Sequence, residues 1–291
     1  MTLSHRLRVA SSAGGLTTDG LVFHVDAGNS SSYSGSGSQV NSLVGSISSV
    51  YYDTNITYTA ASGSNPAYFK YPVTNYGNFT AGQVFRSSDF DLVTYPNHSV
   101  DLWVYFGTNG EATWHSTFIM HKYPTSLTPG SIGDSTARDY RLGVVMINAN
   151  SSGSGGNPGV SWFHNYSGGG NTGTNYTNAD VTVPNLGTGG WLQNRWHHFA
   201  FVNDASNGIK RFYIDGVRLN NTEYSNGNYY TNYRNPTIYG GSDFYLYLGG
   251  SEGSLSEFSG RYSIYRFYKN KVLSDVEVFN NWNAEKALFG R

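Results

Sequence analysis

Short apolar and aromatic runs, separated by clusters of Gly, Asn, Ser and Pro, recur from residue 20 to residue 268. That spacing is the signature of an all-β sandwich. Two hairpin signals sharpen it. Asn207-Gly208 separates Phe199–Asn203 from Lys210–Ile214, and Asp215-Gly216 follows directly; each dipeptide supplies the positive φ that a tight turn demands. Further strands are predicted at Leu21–Val25, Val100–Phe106, Ser116–His121, Tyr140–Ile147, Val160–Tyr166, Phe244–Leu248 and Arg261–Tyr268. One helix is expected, because Ser274 with Glu277 three residues on forms a capping box, and Val276, Phe279 and Leu288 offer apolar anchors. No internal repeat with a period of roughly 20–50 residues is visible, which argues against solenoids and propellers.

The 291 residues carry no composition break, so one domain is expected. Only 13% of residues are charged, against ~25% in ordinary soluble domains. With 36 Gly and 24 Tyr, the surface must be covered by Ser, Thr, Asn, Gly and Tyr. A net charge of -1 gives no broad basic field for nucleic acid or an anionic membrane. Cysteine is absent, which excludes disulfides and thiolate metal sites. Residues 1–10 lack the apolar core of a secretory signal, and no segment approaches the ~20 apolar residues of a membrane span. Work outside a cell would then need another export route or a carrier particle. Eight Asn-x-Ser/Thr sequons follow from the abundance of those residues, so glycosylation is not expected. The stretches 148–158 and 167–175 read as loops, residues 1–15 as a flexible arm, and 16–291 as the domain.

The last third of the chain runs Trp196-His197-His198-Phe199-Ala200-Phe201-Val202, then Arg211-Phe212-Tyr213-Ile214-Asp215-Gly216, Leu248-Gly249-Gly250, Phe258-Ser259-Gly260-Arg261-Tyr262-Ser263-Ile264-Tyr265-Arg266-Phe267-Tyr268, and Leu273-Ser274-Asp275-Val276-Glu277. With Gly20–Asn29 and Ser99–Tyr105 in front, this succession resembles the laminin G-like, or concanavalin A-like, jelly-roll family over roughly residues 19–290. The resemblance implies two antiparallel sheets packed face to face with a short C-terminal helix, in a fold that mostly binds instead of transforming. The opening Val25-Asp26-Ala27-Gly28-Asn29 and the closing Asn281-Trp282-Asn283-Ala284-Glu285-Lys286 with Phe289-Gly290 are similar to laminin G-like domains in structural proteins of tailed phages and large marine viruses. A virion surface protein is thereby implied.

Fold likeness does not assign chemistry, so the residues are weighed by themselves. Glycoside hydrolysis needs a carboxyl pair ~5 Å apart or wider, and the glucanase motif Glu-x-Asp-x-x-Glu is missing; Asp89 and Asp91 read as an edge or turn. Adjacent His197 and His198 point to opposite faces of a strand. His115 and His121 are about 20 Å apart along an extended chain. No enzyme and no zinc site is therefore expected. Asp19, Asp26 and Asp204 are the acids near strand ends that a structural calcium, frequent in the family, would recruit; no other cofactor is implied.

Saccharide binding has the strongest local signal. Trp162, His164 and Tyr166 alternate on one strand face, and such rings stack on sugars while donating hydrogen bonds. Trp114, His115, Tyr123, Arg211 and Tyr213 are expected to border the same concavity. In the arm, His5, Arg6 and Arg8 precede the flexible joint Ser11–Gly15 and are candidates for anchoring to a particle by ordering on contact. The expected role is a non-enzymatic virion surface or decoration protein, on capsid or tail, that adheres to glycans. Its partners are other virion proteins and host or environmental glycans, not nucleic acid or a membrane interior, and self-association is compatible with it. A purely structural virion role is the first alternative, and a cellular lectin or glycan-active enzyme the second.

Overall fold

The strongest turn signals act where the sequence places them. Asp215 and Gly216 adopt φ of 51° and 73°, the two consecutive positive values of a tight hairpin turn, and Asn207 donates from Nδ2 to the Asp204 carboxylate at 3.0 Å. The computed structural model describes residues 14–51, 56–71, 83–90, 97–106, 117–124, 144–148, 159–163, 179–182, 194–204, 206–207, 209–218, 244–248 and 260–291. In chain order its strands are β1 (Leu21–Asp26), β2 (Ser49–Tyr51), β3 (Thr57–Thr59), β4 (Tyr68–Tyr71), β5 (Gln83–Ser87), β6 (His98–Phe106), β7 (Thr117–Pro124), β8 (Val144–Asn148), β9 (Gly159–Phe163), β10 (Ala179–Thr182), β11 (Arg195–Asp204), β12 (Ile209–Ile214), β13 (Val217–Arg218), β14 (Phe244–Leu248) and β15 (Gly260–Lys269), followed by helix α1 (Asp275–Glu285).

Among the described residues two antiparallel sheets result. An eight-stranded sheet runs β13-β12-β11-β6-β15-β4-β3, with β1 also paired to β15, and a seven-stranded sheet runs β10-β9-β8-β7-β14-β5-β2. The architecture is the expected concanavalin A-like jelly-roll sandwich with a short C-terminal helix. Between the sheets lie Phe23, Val100, Phe199 and Phe212 from the larger sheet and Phe85, Leu246 and Leu248 from the smaller. Ring packing across this interface is edge-on, as in Phe23–Phe85 with centroids 4.7 Å apart. Among the described residues no helix is long and apolar enough to cross a membrane.

The capping box is formed as expected: Ser274 accepts from the Glu277 amide, and the Glu277 carboxylate accepts from the Ser274 amide. The predicted apolar anchors differ. Val276 is 39% and Leu288 61% exposed, whereas Val278, Asn281 and Phe289 are buried. The pattern misleads because the helix face on the sheet is half polar. Val278 packs on Ala200, Val202, Tyr213 and Tyr268, while Asn281 and Glu285, one and two turns on, bond charged groups of the sheet. The larger sheet is thus covered on both faces beneath the helix, which explains why β11 is buried continuously from Trp196 to Asp204.

The segment ahead of β1 is stitched to this layer. The Thr17 amide donates to Asn281 Oδ1 at 2.8 Å, and Tyr268 Oη donates to the Thr17 carbonyl at 3.2 Å. His5, Arg6 and Arg8 lie outside the described residues.

Candidate functional site

The described members of the expected saccharide site lie on strands of two different sheets. His164, Tyr166, Trp114 and His115 lie outside the described residues. Trp162 on β9 stands opposite Val145 and Ala179, and Tyr123 on β7 stands opposite Tyr245, so both belong to the seven-stranded sheet. Arg211 and Tyr213 belong to β12 in the other sheet. Phe212 and Ile214 take the core side of β12, which sends the alternating Arg211 and Tyr213 outward. There Tyr213, 1% exposed, donates to Asp275 at 2.7 Å, and Arg211 lies 3.4 Å from Asp204.

The three acids considered for calcium are engaged separately. Lys271 bonds Asp19 at 2.9 Å, the Gly28 amide bonds Asp26 at 2.8 Å, and Asn207 and Arg211 bond Asp204. Among the described residues no group of three His, Asp or Glu side chains converges to hold a metal ion. His197 and His198 diverge as strand alternation requires. His197 Nδ1 lies 3.0 Å from Asp215 Oδ2, and His198 Nε2 lies 3.1 Å from Asp101 Oδ1.

Asp101 and His198 belong to a buried ionic layer beneath α1. Asp101 accepts from Arg266 at 2.9 Å and from Asn281 at 2.7 Å. Glu285 accepts from Arg266 and from Trp103 Nε1, the latter at 2.8 Å. Burial alone would raise the Asp101 pKa, but His198 and Arg266 outweigh it and hold the carboxyl well below the usual carboxylate range. Burial works against the Arg266 charge in the same way, and Glu285 and Asp101 overcome it. Asp101, His198 and Arg266 are fully buried, so this layer fastens the helix and offers no face to a substrate.

Beyond the helix the outer face of the larger sheet is different. Register sets Thr57 opposite Lys70, Lys70 opposite Arg261, Arg261 opposite Tyr105 and Tyr105 opposite Trp196. Cross-strand partners share a face, so these five residues form one row across β3, β4, β15, β6 and β11. At ~4.8 Å per strand the row is about 19 Å long. The Arg261 guanidinium sits 4.3 Å from the Tyr105 ring centroid and 5.0 Å from that of Tyr68. Tyr105 and Tyr68 are partly buried against a floor of Trp103, Trp196 and Phe289. Trp196 is 8% exposed, while Thr57 is exposed and Lys70 and Arg261 are half-buried. No member of the row is acidic. Single-sequence reasoning missed this row because its members are scattered from residue 57 to residue 261; the alternation Tyr68-Phe69-Lys70-Tyr71 was the one local signal.

No protein-family model matches the chain, and no curated protein sequence matches it. Solved structures do resemble it. A Trypanosoma rangeli sialidase in complex with sialic acid superposes with a TM-score of 0.54 at 14% identity, over 94% of this chain and 34% of that one. The botulinum neurotoxin serotype D binding domain gives 0.51 at 11% identity, over 91% of this chain and 52% of that one. The chain spans about a third of the length of the sialidases it matches. At these identities the likeness is one of fold, and it agrees with the β sandwich built from the strands above.

Proposed function

We propose that this chain is a non-enzymatic glycan-adhesion module carried on the surface of a virion. The observation that carries the adhesive reading is the row Lys70–Arg261–Tyr105–Trp196 with Tyr68 beside it, where aromatic rings and cations share one outer sheet face. Rings of this kind stack on the C–H face of a sugar while cations and hydroxyls bond its polar edge. A lone module of this design binds weakly, near ~1 mM or about -4 kcal/mol. Many copies on one particle raise the effective affinity by ~10²–10⁴. A non-enzymatic role is favoured by the missing Glu-x-Asp-x-x-Glu motif and by a row without carboxyl groups. The virion location rests on the similarity of both chain ends to virus structural proteins, with the arm residues His5, Arg6 and Arg8 as the anchor.

The test displays the full chain at high density on a glycan array. Wild type is expected to bind, and a Tyr68→Ala/Tyr105→Ala variant with unchanged circular dichroism is expected to lose binding at least tenfold. Absence of binding to every glycan would overturn the adhesive reading in favour of a purely structural role. Binding retained by that variant but lost on Trp162→Ala or Tyr123→Ala would move the site to the seven-stranded sheet. For the location, the chain should copurify with intact particles, and removal of residues 1–13 should lower its occupancy; a chain never found with particles sinks the virion assignment.

A further inference from the structure

We propose that Asn29 is an acceptor for an N-linked sugar, and that the fold closes the matching sequence at Asn97 to the same reaction. Eight Asn-x-Ser/Thr sequons occur in the chain, and composition gives no reason to prefer one of them. The fold does. The sequons at Asn29 and Asn97 lie wholly within the described residues, and their surroundings are opposite.

Asn29, Ser30 and Ser31 are all exposed, in the turn that follows β1. The Ser31 amide donates to Asn29 Oδ1 at 2.9 Å, the side-chain turn that Asn forms with the backbone two positions on. This bond fixes the carboxamide by its oxygen and leaves Nδ2 without an acceptor among the described residues. The backbone of the turn is pinned as well. The Asn29 amide donates to the Asp26 carbonyl at 3.1 Å, and the Asn29 carbonyl accepts from Ser32 at 2.9 Å and from the buried Tyr33 at 3.0 Å. A sugar on Nδ2 breaks none of these bonds, because Oδ1 and the backbone are untouched, and its hydrophilic bulk stays at the surface.

Asn97 is the reverse case. Its Nδ2 donates to Ser206 Oγ at 2.9 Å, and its Oδ1 accepts from the Ser206 amide at 3.2 Å. His98 and Ser99 are fully buried in β6, which lies between β11 and β15. The Ser99 hydroxyl donates to the Lys271 carbonyl at 2.8 Å and accepts from the Leu273 amide at 3.1 Å. An enzyme that reads the hydroxyl at the third sequon position reaches Ser31 from solvent and reaches Ser99 only by pulling a central strand out of the sheet.

The reaction joins Asn29 Nδ2 to the anomeric carbon of a sugar diphosphate. The bond from that carbon to the phosphate oxygen breaks, the diphosphate leaves with the electron pair, and the amide nitrogen gives up one proton. Nucleotide-linked and polyprenyl-linked donors share this chemistry.

The experiment incubates the purified, folded full chain in two arms. One holds a soluble asparagine glucosyltransferase with UDP-glucose, the other a purified oligosaccharyltransferase with a short polyprenyl-diphosphate oligosaccharide. Peptide mapping by mass spectrometry reads each site, and synthetic peptides spanning residues 26–33 and 94–101 report the preference of each enzyme for the bare sequences. Sugar on Asn29 is expected in at least one arm, and the arm that yields it identifies the donor. In that arm the ratio of Asn29 to Asn97 modification should be at least tenfold higher in the folded chain than in the free peptides. Ser31→Ala should abolish the Asn29 product with unchanged circular dichroism, and Ser31→Thr should keep it. Absence of sugar on Asn29 in both arms overturns the assignment. A folded-chain ratio equal to the peptide ratio, or product retained by Ser31→Ala, overturns it too.

Discussion

Arg266 and Asp101 face each other across β15 and β6 at 2.9 Å, and both are buried. Helix α1 docks on this pair through Glu285 and Asn281. Removing one member strands the other charge in a place water does not reach. Arg266→Met is therefore expected to cost ~3–5 kcal/mol of stability, read from urea unfolding. Adding Asp101→Leu to it should recover part of the loss, since the fully buried Asp101 charge is then removed as well and only Glu285, at the edge of the layer, lacks its cation. A single-variant loss below ~1 kcal/mol would contradict the docking role.

Trp103 and Phe289 stack with centroids 4.0 Å apart and planes 6° from parallel. This contact closes the C-terminal 3-10 turn, Lys286–Phe289, over the sheet. Phe289→Ala should cost ~3 kcal/mol and shift tryptophan emission to the red, because Trp103 is fully buried. The β signal in circular dichroism should persist. Unshifted emission would show that the turn does not shield Trp103.

Burial, and after it the Arg266 charge, lowers the His24 pKa to about 3. The unfolded chain takes up that proton near pH ~6.5, so unfolding binds a proton between the two values. The stabilisation is complete above pH ~6.5 and is lost as pH falls toward the folded value, with a slope of at most ~1.4 kcal/mol per pH unit. Asp101, whose pKa is also depressed in the fold, loses its contribution only below pH ~4. Between about pH 5 and 7 the slope is carried mainly by histidines, and His24→Gln should reduce it there. A variant with the wild-type slope would assign the dependence to other groups.

Gly216 occupies φ +73° in the β12–β13 turn, and a Cβ there would stand 2.9 Å from Trp282 Cε3. Both the left-handed backbone and the indole oppose a side chain. Gly216→Ala should lose about 2 kcal/mol, seen as a lower Tm. A neutral result would mean that Trp282 moves aside freely.

Much of the fold was legible in local chemistry. The strands that contain Leu102, Phe201, Leu246 and Tyr265 were read from apolar alternation and turn residues, because each lies between strong punctuation on both sides. Short strands such as β3 (Thr57–Thr59), β5 (Gln83–Ser87) and β10 (Ala179–Thr182) escaped, since three to five mixed residues carry too little periodicity. The site was less legible. Arg211 and Tyr213 lie on a strand of the eight-stranded sheet and Trp162 on one of the seven-stranded sheet, and alternation gives a face within one strand while saying nothing about which sheet that strand joins.

The sequence by itself determined the class: alternating aromatic runs, Asn207 and Asp215-Gly216 at the turns, and the Ser274–Glu277 box that starts the helix. These are local, set by φ preferences and hydrogen bonds within a few residues. Tertiary structure alone decided which strands became neighbours. It turned Asn281 and Glu285 into the docking face of the helix, and it set Lys70, Arg261, Tyr105 and Trp196 in one row. Cross-strand register depends on the two sheets burying their apolar faces together, and that collective choice leaves no mark on any short segment.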